Sequence, residues 1–473
     1  MLSLHIDSQI YTNFSFTPTL DQKKLIEMLS QYIAESKNGD IFIVNGYAGT
    51  GKTTVIAALV KTLRQHKTNV YLLASTGRAA KIMSQYSSTQ AYTIHKKIYK
   101  QKSALIDKFV LDRNLSKNSY FIIDEASMLS DSSYENNIFG SGNLLHDLIS
   151  YVNNGANCRL IIVGDKAQLP PIGHPVSPAL DIHTMEFYGR ITYCEIKKVV
   201  RQQMGSGVLT NATLIRKLIE RGENGIPKFK LDYPDIKAIS GSQFVEELET
   251  AYSLFGIKET IVITRSNKQA NRFNQGIRSR VLYQEEEISS GDLLMVVKNN
   301  YHYISEEQAF DFIANGDIVE IMRIRRYEEL YGFRFVNVAL RFPDYDNLEM
   351  ECKIILDTLE SDTPSLNQEQ SRQLFYAIEE DYSHITRKAE RYNKIKEDDY
   401  YNALQIKFAY AITCHKAQGG QWDCVFIDKM LFGEEEMNSD LQRWLYTAFT
   451  RTKKKVYLIN FDDRFFENPP EYW

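Results

Sequence analysis

The chain has 473 residues, enough for about three domains of ordinary size. It carries 56 Lys and Arg against 60 Asp and Glu, a formal net charge of -4, and 43% of its residues are hydrophobic. This composition excludes a disordered chain and a basic protein that coats nucleic acid over its whole surface, but it leaves room for a local basic channel.

The five cysteines form no CxxC pair and show no zinc-ligand spacing, so we expect them to be reduced thiols. Residues 1–16 lack the basic start and apolar run of a signal peptide. No stretch approaches the roughly 18 apolar residues that cross a bilayer. We therefore expect a soluble, cytoplasmic protein that does not act at a membrane.

Short apolar runs that are typical of buried parallel strands alternate with helical patterns along most of the chain. In the first part they occur at residues 41–45, 70–74, 120–123 and 160–163. After residue 201 the same alternation returns, with predicted strands at 260–264, 409–413, 424–427 and 456–459. Strands that alternate with helices predict an α/β fold with parallel sheets.

A different pattern interrupts the second half. Residues 331–341 and 349–356 read as two antiparallel strands joined by a turn at 342–348, and a charged helical stretch follows at about 367–399. We interpret residues 321–404 as a small β-rich domain inserted into the second α/β domain. The predicted domains are therefore 1–200, 201–320 with 405–473, and the insertion.

A phosphate-binding loop follows the first predicted strand. Residues 46–53, GYAGTGKT, match the pattern GxxxxGK[ST] between a strand and a helix, which is the context that the motif requires. The glycines let backbone N–H groups surround phosphates, and the helix start adds the positive end of its dipole. The predicted nucleotide-binding residues here are Gly46, Gly49, Thr50, Gly51, Lys52, Thr53 and Thr54.

Adjacent carboxylates follow the predicted strand 120–123. Asp124, together with Thr53, is a predicted ligand of Mg²⁺, and Glu125 is the predicted base that orients and polarises an attacking water. Further on, the segment IIVGDKAQLPPI places Gln168 just after a strand. Its amide could sense the γ-phosphate, or it could simply be a polar residue at a strand exit.

The ordered series of motifs resembles the RecD/Dda-like DNA helicases of superfamily 1B. The resemblance runs from residue 20 to residue 459. It is carried by LDQKKLIEML, GYAGTGKTT, ASTGRAAKIMS, AYTIHK, IIDEASML, VGDKAQLPPIG, VVRQ, FAYAITCHKAQGGQWD and LYTAFTRTKKKVYLI. It implies two tandem RecA-like P-loop domains, a small pin inserted at about 97–117 in the first domain, and a small β-rich insertion in the second, for which an SH3-like form is one candidate.

The resemblance also implies roles for residues around the nucleotide. Gln22 would read the adenine, and Arg201 and Arg451 would reach the γ-phosphate from the second domain. Guanidinium groups suit the charge of a phosphoryl-transfer transition state. The chain departs from some relatives at Val200, where they have an aromatic residue, and at Gln421, where they have an acidic one. The stacking partner of the base and a strict preference for ATP are therefore left open.

Family resemblance places single-stranded DNA across both domains. The predicted nucleic-acid contacts are Thr76, Arg78, Thr93 and His95 in the first domain, and Thr413, His415 and Lys416 in the second. Asn267, Asn271 and Asn274 are further candidates. Each of these polar residues could instead cap a helix or lie on a solvated surface.

The predicted pin lies in a basic segment, because residues 91–120 carry a net charge of about +5. Tyr99 and Phe109 could stack on a base or pack in the core. The sequence thus predicts an ATP-dependent DNA helicase that uses Mg²⁺, acts on single-stranded DNA and DNA forks, and moves 5′→3′ by family analogy. An RNA or RNA/DNA helicase, and an ATP-driven clamp that separates no strands, are the alternatives.

Overall fold

The computed structural model describes residues 2–103, 106–132, 139–200, 205–303, 313–343, 345, 347–429 and 438–469. The chain folds into two compact units. The first comprises Met1–Leu209, Ile215–Asn224 and Asn438–Thr447, and the second comprises Thr210–Leu214, Gly225–Met437 and Ala448–Trp473. Within the described ranges, no helix has both the length and the apolar character needed to cross a membrane. The five cysteines all lie within the described residues, form no disulfide and are buried.

The first unit is built on a parallel sheet. Its strands are β1 (Ile41–Gly46), β2 (Asn69–Ala74), β3 (Ala91–Thr93), β6 (Ser119–Asp124), β7 (Arg159–Gly164) and β8 (Ile191–Ile196), with a separate pair β4 (Tyr99–Ser103) and β5 (Ile106–Leu111). Its helices are α1 (Leu2–Asn13), α2 (Leu20–Glu35), α3 (Lys52–Gln65), α4 (Gly77–Ser87), α5 (Ile94–Ile98), α6 (Leu144–Asn153), α7 (Ile182–Glu186) and α8 (Gly207–Arg221). The sheet order is β3-β2-β6-β7-β1-β8.

Both faces of this sheet are covered, which explains why its strands read as continuous apolar runs. Along β1, Phe42 and Val44 join one buried cluster together with side chains of α1, α2 and α3. Ile41 and Ile43 point to the opposite face and join a second cluster that includes side chains of α5 and α6. Because the strands are parallel, their carboxyl ends and the loops that follow them lie at one edge of the sheet.

An antiparallel hairpin, β4–β5, extends the first unit within the segment predicted to be a pin. The aromatic residues at its base belong to the core. Tyr99 is buried, and its hydroxyl donates to Asp147 Oδ2 at 2.7 Å. Phe109 stacks on Phe139 with 4.6 Å between ring centroids. Core packing, one of the two alternatives for these residues, therefore accounts for both.

The second unit contains another parallel sheet and a closed barrel. Its strands are β9 (Ile236–Ile239), β10 (Thr260–Thr264), β11 (Leu293–Val296), β12 (Ile318–Leu330), β13 (Phe333–Phe342), β14 (Leu348–Ile355), β15 (Leu404–Phe408), β16 (Ala411–Thr413), β17 (Trp422–Asp428) and β18 (Thr452–Ile459). Its helices are α9 (Phe244–Phe255), α10 (Asn267–Arg280), α11 (Gln368–Asp381), α12 (Lys388–Lys396) and α13 (Cys414–Ala417). A further helix, α14 (Ser439–Phe449), begins in the first unit and ends in the second.

The parallel sheet of the second unit has the order β16-β10-β17-β18-β9, and β11 to β15 close the barrel. The predicted antiparallel pair is confirmed as β13 and β14. The predicted limits of the insertion, 321–404, are too narrow, because the barrel also needs β11 and all of β15 to close. The predicted strand 409–413 is shortened to β16.

The limits predicted for the first domain also differ from those of the first unit. Residues Ile215–Asn224 and Asn438–Thr447, which follow residue 200 in the chain, pack in this unit. An α/β fold with two parallel sheets is nevertheless what the alternating pattern predicted.

Candidate functional site

The loop between β1 and α3 has the backbone of a phosphate-binding turn. Gly49 and Gly51 have φ angles of 78° and 79°, in the left-handed region that glycine adopts without a steric penalty. At Gly46, an added Cβ would collide with Cγ1 of Ile196, so a residue with a side chain does not fit unless Ile196 moves. Inside the turn, the Thr50 hydroxyl donates to the Tyr47 carbonyl at 2.7 Å. The glycines therefore set the shape of the loop.

The start of α3 presents donors to a ligand. Its N-cap is Gly51, which offers no side chain to bond the first N–H groups of the helix. The ammonium group of Lys52 donates to the carbonyl oxygens of Gly46 and Tyr47, and so lies over the loop. A helix N-terminus without a side-chain cap, with a lysine beside it, fits a group as negative as a nucleotide phosphate.

Asp124 and Glu125 follow β6. Burial and the nearby Glu125 raise the pKa of Asp124 to about 6, while the Glu125 N–H, Lys52 and a hydrogen bond from the Thr53 hydroxyl oppose that rise. A carboxylate and a hydroxyl in contact are the oxygen donors that Mg²⁺ prefers, so Asp124 and Thr53 fit the predicted ion. Glu125 has a φ of 53°, and Ser75 Oγ donates to its carbonyl at 3.1 Å. This left-handed backbone is unusual for a residue with a Cβ.

Gln22 holds the phosphate loop in this structure. Its side chain is 2% exposed, its Nε2 donates to the Thr50 carbonyl at 3.0 Å, and its Oε1 accepts from the Thr19 N–H at 2.9 Å. The second contact belongs to a capping box at the start of α2. Both amide atoms are thus engaged by the protein's own backbone, whereas the sequence resemblance implied that Gln22 reads the adenine.

Gln168 is buried in the first unit beside the end of β7. Among the described residues, its Oε1 has no hydrogen-bond partner, although it is shielded from solvent. A buried, unpaired amide oxygen costs free energy, about 1–3 kcal/mol, and suggests a partner that the chain itself does not supply. This environment differs from that of an ordinary polar residue at a strand exit.

Arg201 and Arg451 are the two arginines that were predicted to reach the γ-phosphate. Arg201 lies outside the described residues. Arg451, in the second unit, is 2% exposed, and its guanidinium donates to the Gly420 carbonyl at 3.2 Å and to Thr450 Oγ1 at 3.1 Å. Arg451 is therefore not an ordinary surface arginine.

Hydroxyl side chains cap the helices that follow strands in both units. In the first unit, Thr76 accepts from the Ala79 N–H at the start of α4, and Thr93 accepts from the Lys96 N–H at the start of α5. In the second unit, Thr413 accepts from the Lys416 N–H at the start of α13. A threonine that accepts in this way keeps its hydroxyl proton as a donor for a phosphate oxygen. Capping and nucleic-acid contact are thus compatible roles.

Sequence reasoning missed the equivalent cap at α10. There, the Ser266 side chain accepts from the Gln269 N–H at 3.2 Å. The signal was present, since a serine followed three residues later by a glutamine is a helix-start pattern. Of the other candidates, Arg78 lies in the first turn of α4, His415 is exposed, and Lys416 Nζ donates to Asn315 Oδ1 at 2.7 Å.

Two asparagines proposed as nucleic-acid contacts are buried and hold the fold of the second unit. Asn274 bonds the carbonyl oxygens of Phe408 and Ala411 and the Ala411 N–H, at 2.7–3.1 Å. Asn271 Nδ2 donates to the carbonyls of Glu360 and Ser361. Because their amide groups already bond the protein's own backbone, the structure gives no support to the expectation that Asn271 and Asn274 contact nucleic acid. Asn267 is half-buried at the start of α10.

His95 also differs from expectation. Its ring packs against Phe139 and Tyr99, with centroids 5.0 Å and 5.8 Å away. Burial lowers the pKa of His95 from 6.5 to about 4, so the ring is neutral at pH 7. A charge-based contact between His95 and a phosphate is therefore not supported.

The glycine-shaped loop, the open start of α3 and the Asp124–Thr53 pair define the first unit as a P-loop nucleotide-binding domain. Comparison with known families agrees, since residues 21–224 match the model described as "AAA domain". Residues 408–459 match the model described as "UvrD-like helicase C-terminal domain".

Whole-chain comparisons identify similar proteins. The ATP-dependent DNA helicase Dda of Enterobacteria phage T4 is 25% identical over 93% of this chain and 99% of its own. The ATP-dependent DNA helicase Pif1 of Psychrobacter sp. is 24% identical over 83% of this chain and 62% of its own length. A crystal structure of Pif1 helicase from Bacteroides with ADP-AlF3 and ssDNA covers 96% of this chain and 95% of its own, at 14% identity and a TM-score of 0.49.

The helicase C-terminal model follows the AAA model in the chain, and the Dda relative matches nearly from end to end. The chain belongs to the Pif1-, Dda- and RecD-like helicases of superfamily 1B.

Proposed function

We propose that this protein is an ATP-dependent DNA helicase that moves along single-stranded DNA and separates the strands of a duplex. The observation that carries the proposal is the site of the first unit, where the open start of α3, Lys52 and the hydrogen-bonded pair Thr53–Asp124 occur together. Membership of the superfamily 1B helicases supports DNA as the substrate.

Each residue of the site has a chemical task. The N–H groups of the loop, with Lys52 and Thr54, bind the phosphates of ATP, and Thr53 and Asp124 hold Mg²⁺. When bound, the ion supplies positive charge to the β- and γ-phosphates. Glu125 would orient the attacking water and accept its proton, and the buried amide of Gln168 would sense the γ-phosphate. These assignments rest on the chemistry of the side chains and their contacts.

Arg201 and Arg451 are proposed to reach the γ-phosphate in the working cycle, and Gln22 to support the nucleotide by holding Thr50. The guanidinium group of Arg451 suits this role chemically, because its charge and its several N–H donors match the oxygens of a phosphate. Release of Arg451 from the Gly420 carbonyl would have to accompany such a contact.

Single-stranded DNA is proposed to lie along the strand ends that carry the capping hydroxyls. Thr76, Arg78 and Thr93 would contact its phosphates from the first unit, and Thr413, His415 and Lys416 from the second. Contacts to phosphate and sugar carry no base information, so movement would tolerate any sequence. The 5′→3′ direction rests on family analogy.

The smaller elements are assigned by the same analogy. The hairpin β4–β5 is proposed to be the pin that meets the DNA fork, and the barrel β11–β15 to be an SH3-like insertion into the second of two RecA-like domains. The closed five-strand order of the barrel supports the second assignment. We propose that the protein works in the cytoplasm.

The deciding experiment measures ATP hydrolysis with and without single-stranded DNA or RNA, and unwinding of duplexes with a 5′ or a 3′ tail. We expect hydrolysis stimulated by DNA and unwinding of the 5′-tailed duplex, with Lys52→Ala inactive in both assays. Stimulation by RNA alone would support an RNA helicase. DNA-stimulated hydrolysis without unwinding would support an ATP-driven clamp, and unwinding of 3′-tailed duplexes alone would contradict the direction.

A further inference from the structure

The hydroxyl of Tyr446 joins the phosphate loop to the segment that carries Gln168. It accepts from the Ala48 N–H at 3.0 Å and donates to Asp165 Oδ2 at 2.8 Å. Tyr446 lies in the part of α14 that belongs to the first unit, and its side chain is 2% exposed. A single buried hydroxyl thus bonds two segments that are far apart in the chain.

The same face of α14 holds the rest of that segment. Arg443, three residues before Tyr446, donates to the Lys166 carbonyl, and the Leu169 N–H donates to Thr447 Oγ1 at 2.8 Å. Residues three and four apart share one face of a helix, so these side chains act together. They fix the backbone on both sides of Gln168.

Asp165 completes the connection. Its Oδ1 accepts from the Ala167 N–H at 2.9 Å, while its Oδ2 accepts from Tyr446. Beside this anchored turn lies Gln168, whose buried Oε1 has no partner among the described residues. The turn is therefore held in a position that leaves the Gln168 amide oxygen for a ligand.

We propose that Tyr446 is a positioning residue for ATP hydrolysis, acting through the backbone of Ala48 and through Asp165. Its hydroxyl keeps the phosphate loop and the Gln168 turn in one fixed arrangement. Small displacements of a reacting group cost large factors in rate, so loss of this hydroxyl slows turnover more than it weakens nucleotide binding. The proposal rests on the proposed ATPase function.

The test compares Tyr446→Phe with Tyr32→Phe. Tyr32 is a matched control, since it is buried in the same unit and its hydroxyl lies 2.7 Å from the Asp40 carbonyl and 3.1 Å from the Leu160 carbonyl. With single-stranded DNA present, we expect kcat of Tyr446→Phe to fall about 10-fold, equivalent to about 1.4 kcal/mol, with KM for ATP unchanged within about twofold. Tyr32→Phe should keep the wild-type kcat.

A second readout needs no nucleotide. In the free protein, amide hydrogen exchange at Ala48, resolved with overlapping peptides that cover residues 45–51, should be about 10-fold faster in Tyr446→Phe than in wild type, because the Ala48 N–H loses its acceptor. The same amide should exchange at the wild-type rate in Tyr32→Phe. Unchanged exchange in Tyr446→Phe would overturn the proposed contact.

Other outcomes separate this inference from the proposed function. If wild-type protein hydrolyses no more ATP than Lys52→Ala, the proposed function fails, and exchange still tests the contact. If wild type is active, an unchanged kcat in Tyr446→Phe overturns the inference, as does an equal loss in Tyr32→Phe.

A milder variant covers the case in which Tyr446→Phe folds poorly. Asp165→Asn keeps the shape of the side chain and weakens its bond with Tyr446, so we expect kcat to fall, with KM again unchanged. In the double variant the two losses should not add, because both act on one bond. Fully additive losses would contradict the proposal.

Discussion

At the scale of single residues, the proposed catalytic base Glu125 has an unusual backbone conformation. Its φ of 53° is held while its carbonyl accepts from Ser75 and its N–H donates to Asp124 Oδ1 at 2.8 Å. Conformations of this kind persist only where neighbouring contacts impose them, and they are common at active sites. The carboxylate of Glu125 is thus aimed by its own main chain.

Replacing Glu125 by glutamine should therefore slow chemistry and spare binding. We expect kcat for ATP to fall about 100-fold or more, since general-base catalysis contributes factors of about 10²–10⁴. The dissociation constant of a fluorescent ATP analogue should change less than about threefold, because a glutamine side chain keeps nearly the same shape as the glutamate it replaces. Glu186→Gln, at an exposed glutamate on α7, is the control. Full activity in Glu125→Gln would show that this residue is not the base.

His95 predicts a dependence of stability on pH. Burial lowers the pKa of His95 from 6.5 to about 4. Between these two pH values, the His95 ring is therefore protonated in the unfolded chain and neutral in the folded one. The stabilising contribution is complete above pH 6.5 and is lost as the pH falls towards 4. We expect wild type to lose about 1–2 kcal/mol more than His95→Gln between about pH 7 and pH 4.5.

Urea unfolding at each pH measures this difference. His183→Gln provides the control, since the His183 side chain is 92% exposed. If wild type and His95→Gln lose stability in parallel as the pH falls, the packing of the His95 ring does not lower its pKa.

At the scale of elements, the hairpin β4–β5 is the proposed pin, and its base also packs in the core of the first unit. Its base packs through Tyr99 and Phe109, and its two strands pair with each other beyond that base. Replacement of residues 101–108 by a short Gly-Ser linker keeps both aromatic residues. We expect DNA-stimulated ATP hydrolysis to stay within about twofold, because the phosphate site is untouched, and unwinding of a forked duplex to fall at least about 10-fold.

Gel-based unwinding and coupled ATPase assays on the same preparation test this prediction. A loss of both activities would indicate a structural role for the hairpin, and a variant that unwinds at the wild-type rate would show that the hairpin is not the pin.

The elements also show where sequence reasoning succeeded and where it could not. The strands of both sheets were recognisable because burial on two faces leaves continuous apolar runs, as in β6 and β10. Asn271 and Asn274 were misjudged because an exposed asparagine and one that bonds buried backbone look the same in a sequence. Only the approach of residues 360–361 and 408–411, far along the chain, reveals their partners.

At the scale of the whole molecule, the net charge of -4 is compatible with binding an anionic polymer only if the contacts are local. The logarithm of the binding constant for single-stranded DNA should then fall linearly with the logarithm of the salt concentration. The slope should be about 0.7 for each phosphate that the protein contacts. We expect Lys416→Ala to reduce that slope by about 0.7, because one phosphate contact is lost.

Titrations with fluorescent oligothymidine from about 50 to 200 mM salt measure the slope. Lys258→Ala is the matched control, since Lys258 is an exposed lysine paired with Glu320 at 2.8 Å. Equal slopes in Lys416→Ala and wild type would remove Lys416 from the proposed DNA contacts.

The sequence by itself determined the α/β class and the helicase family, and it located the phosphate loop and the adjacent Asp124 and Glu125. These features depend on motifs and hydrophobic patterns that are formed by residues close together in the chain. Only the tertiary structure shows which polar side chains bond the protein's own backbone and which strands close the barrel. It also shows that the Tyr446 hydroxyl bonds Ala48 and Asp165. Such contacts join residues that are distant in the chain, and no local pattern records them.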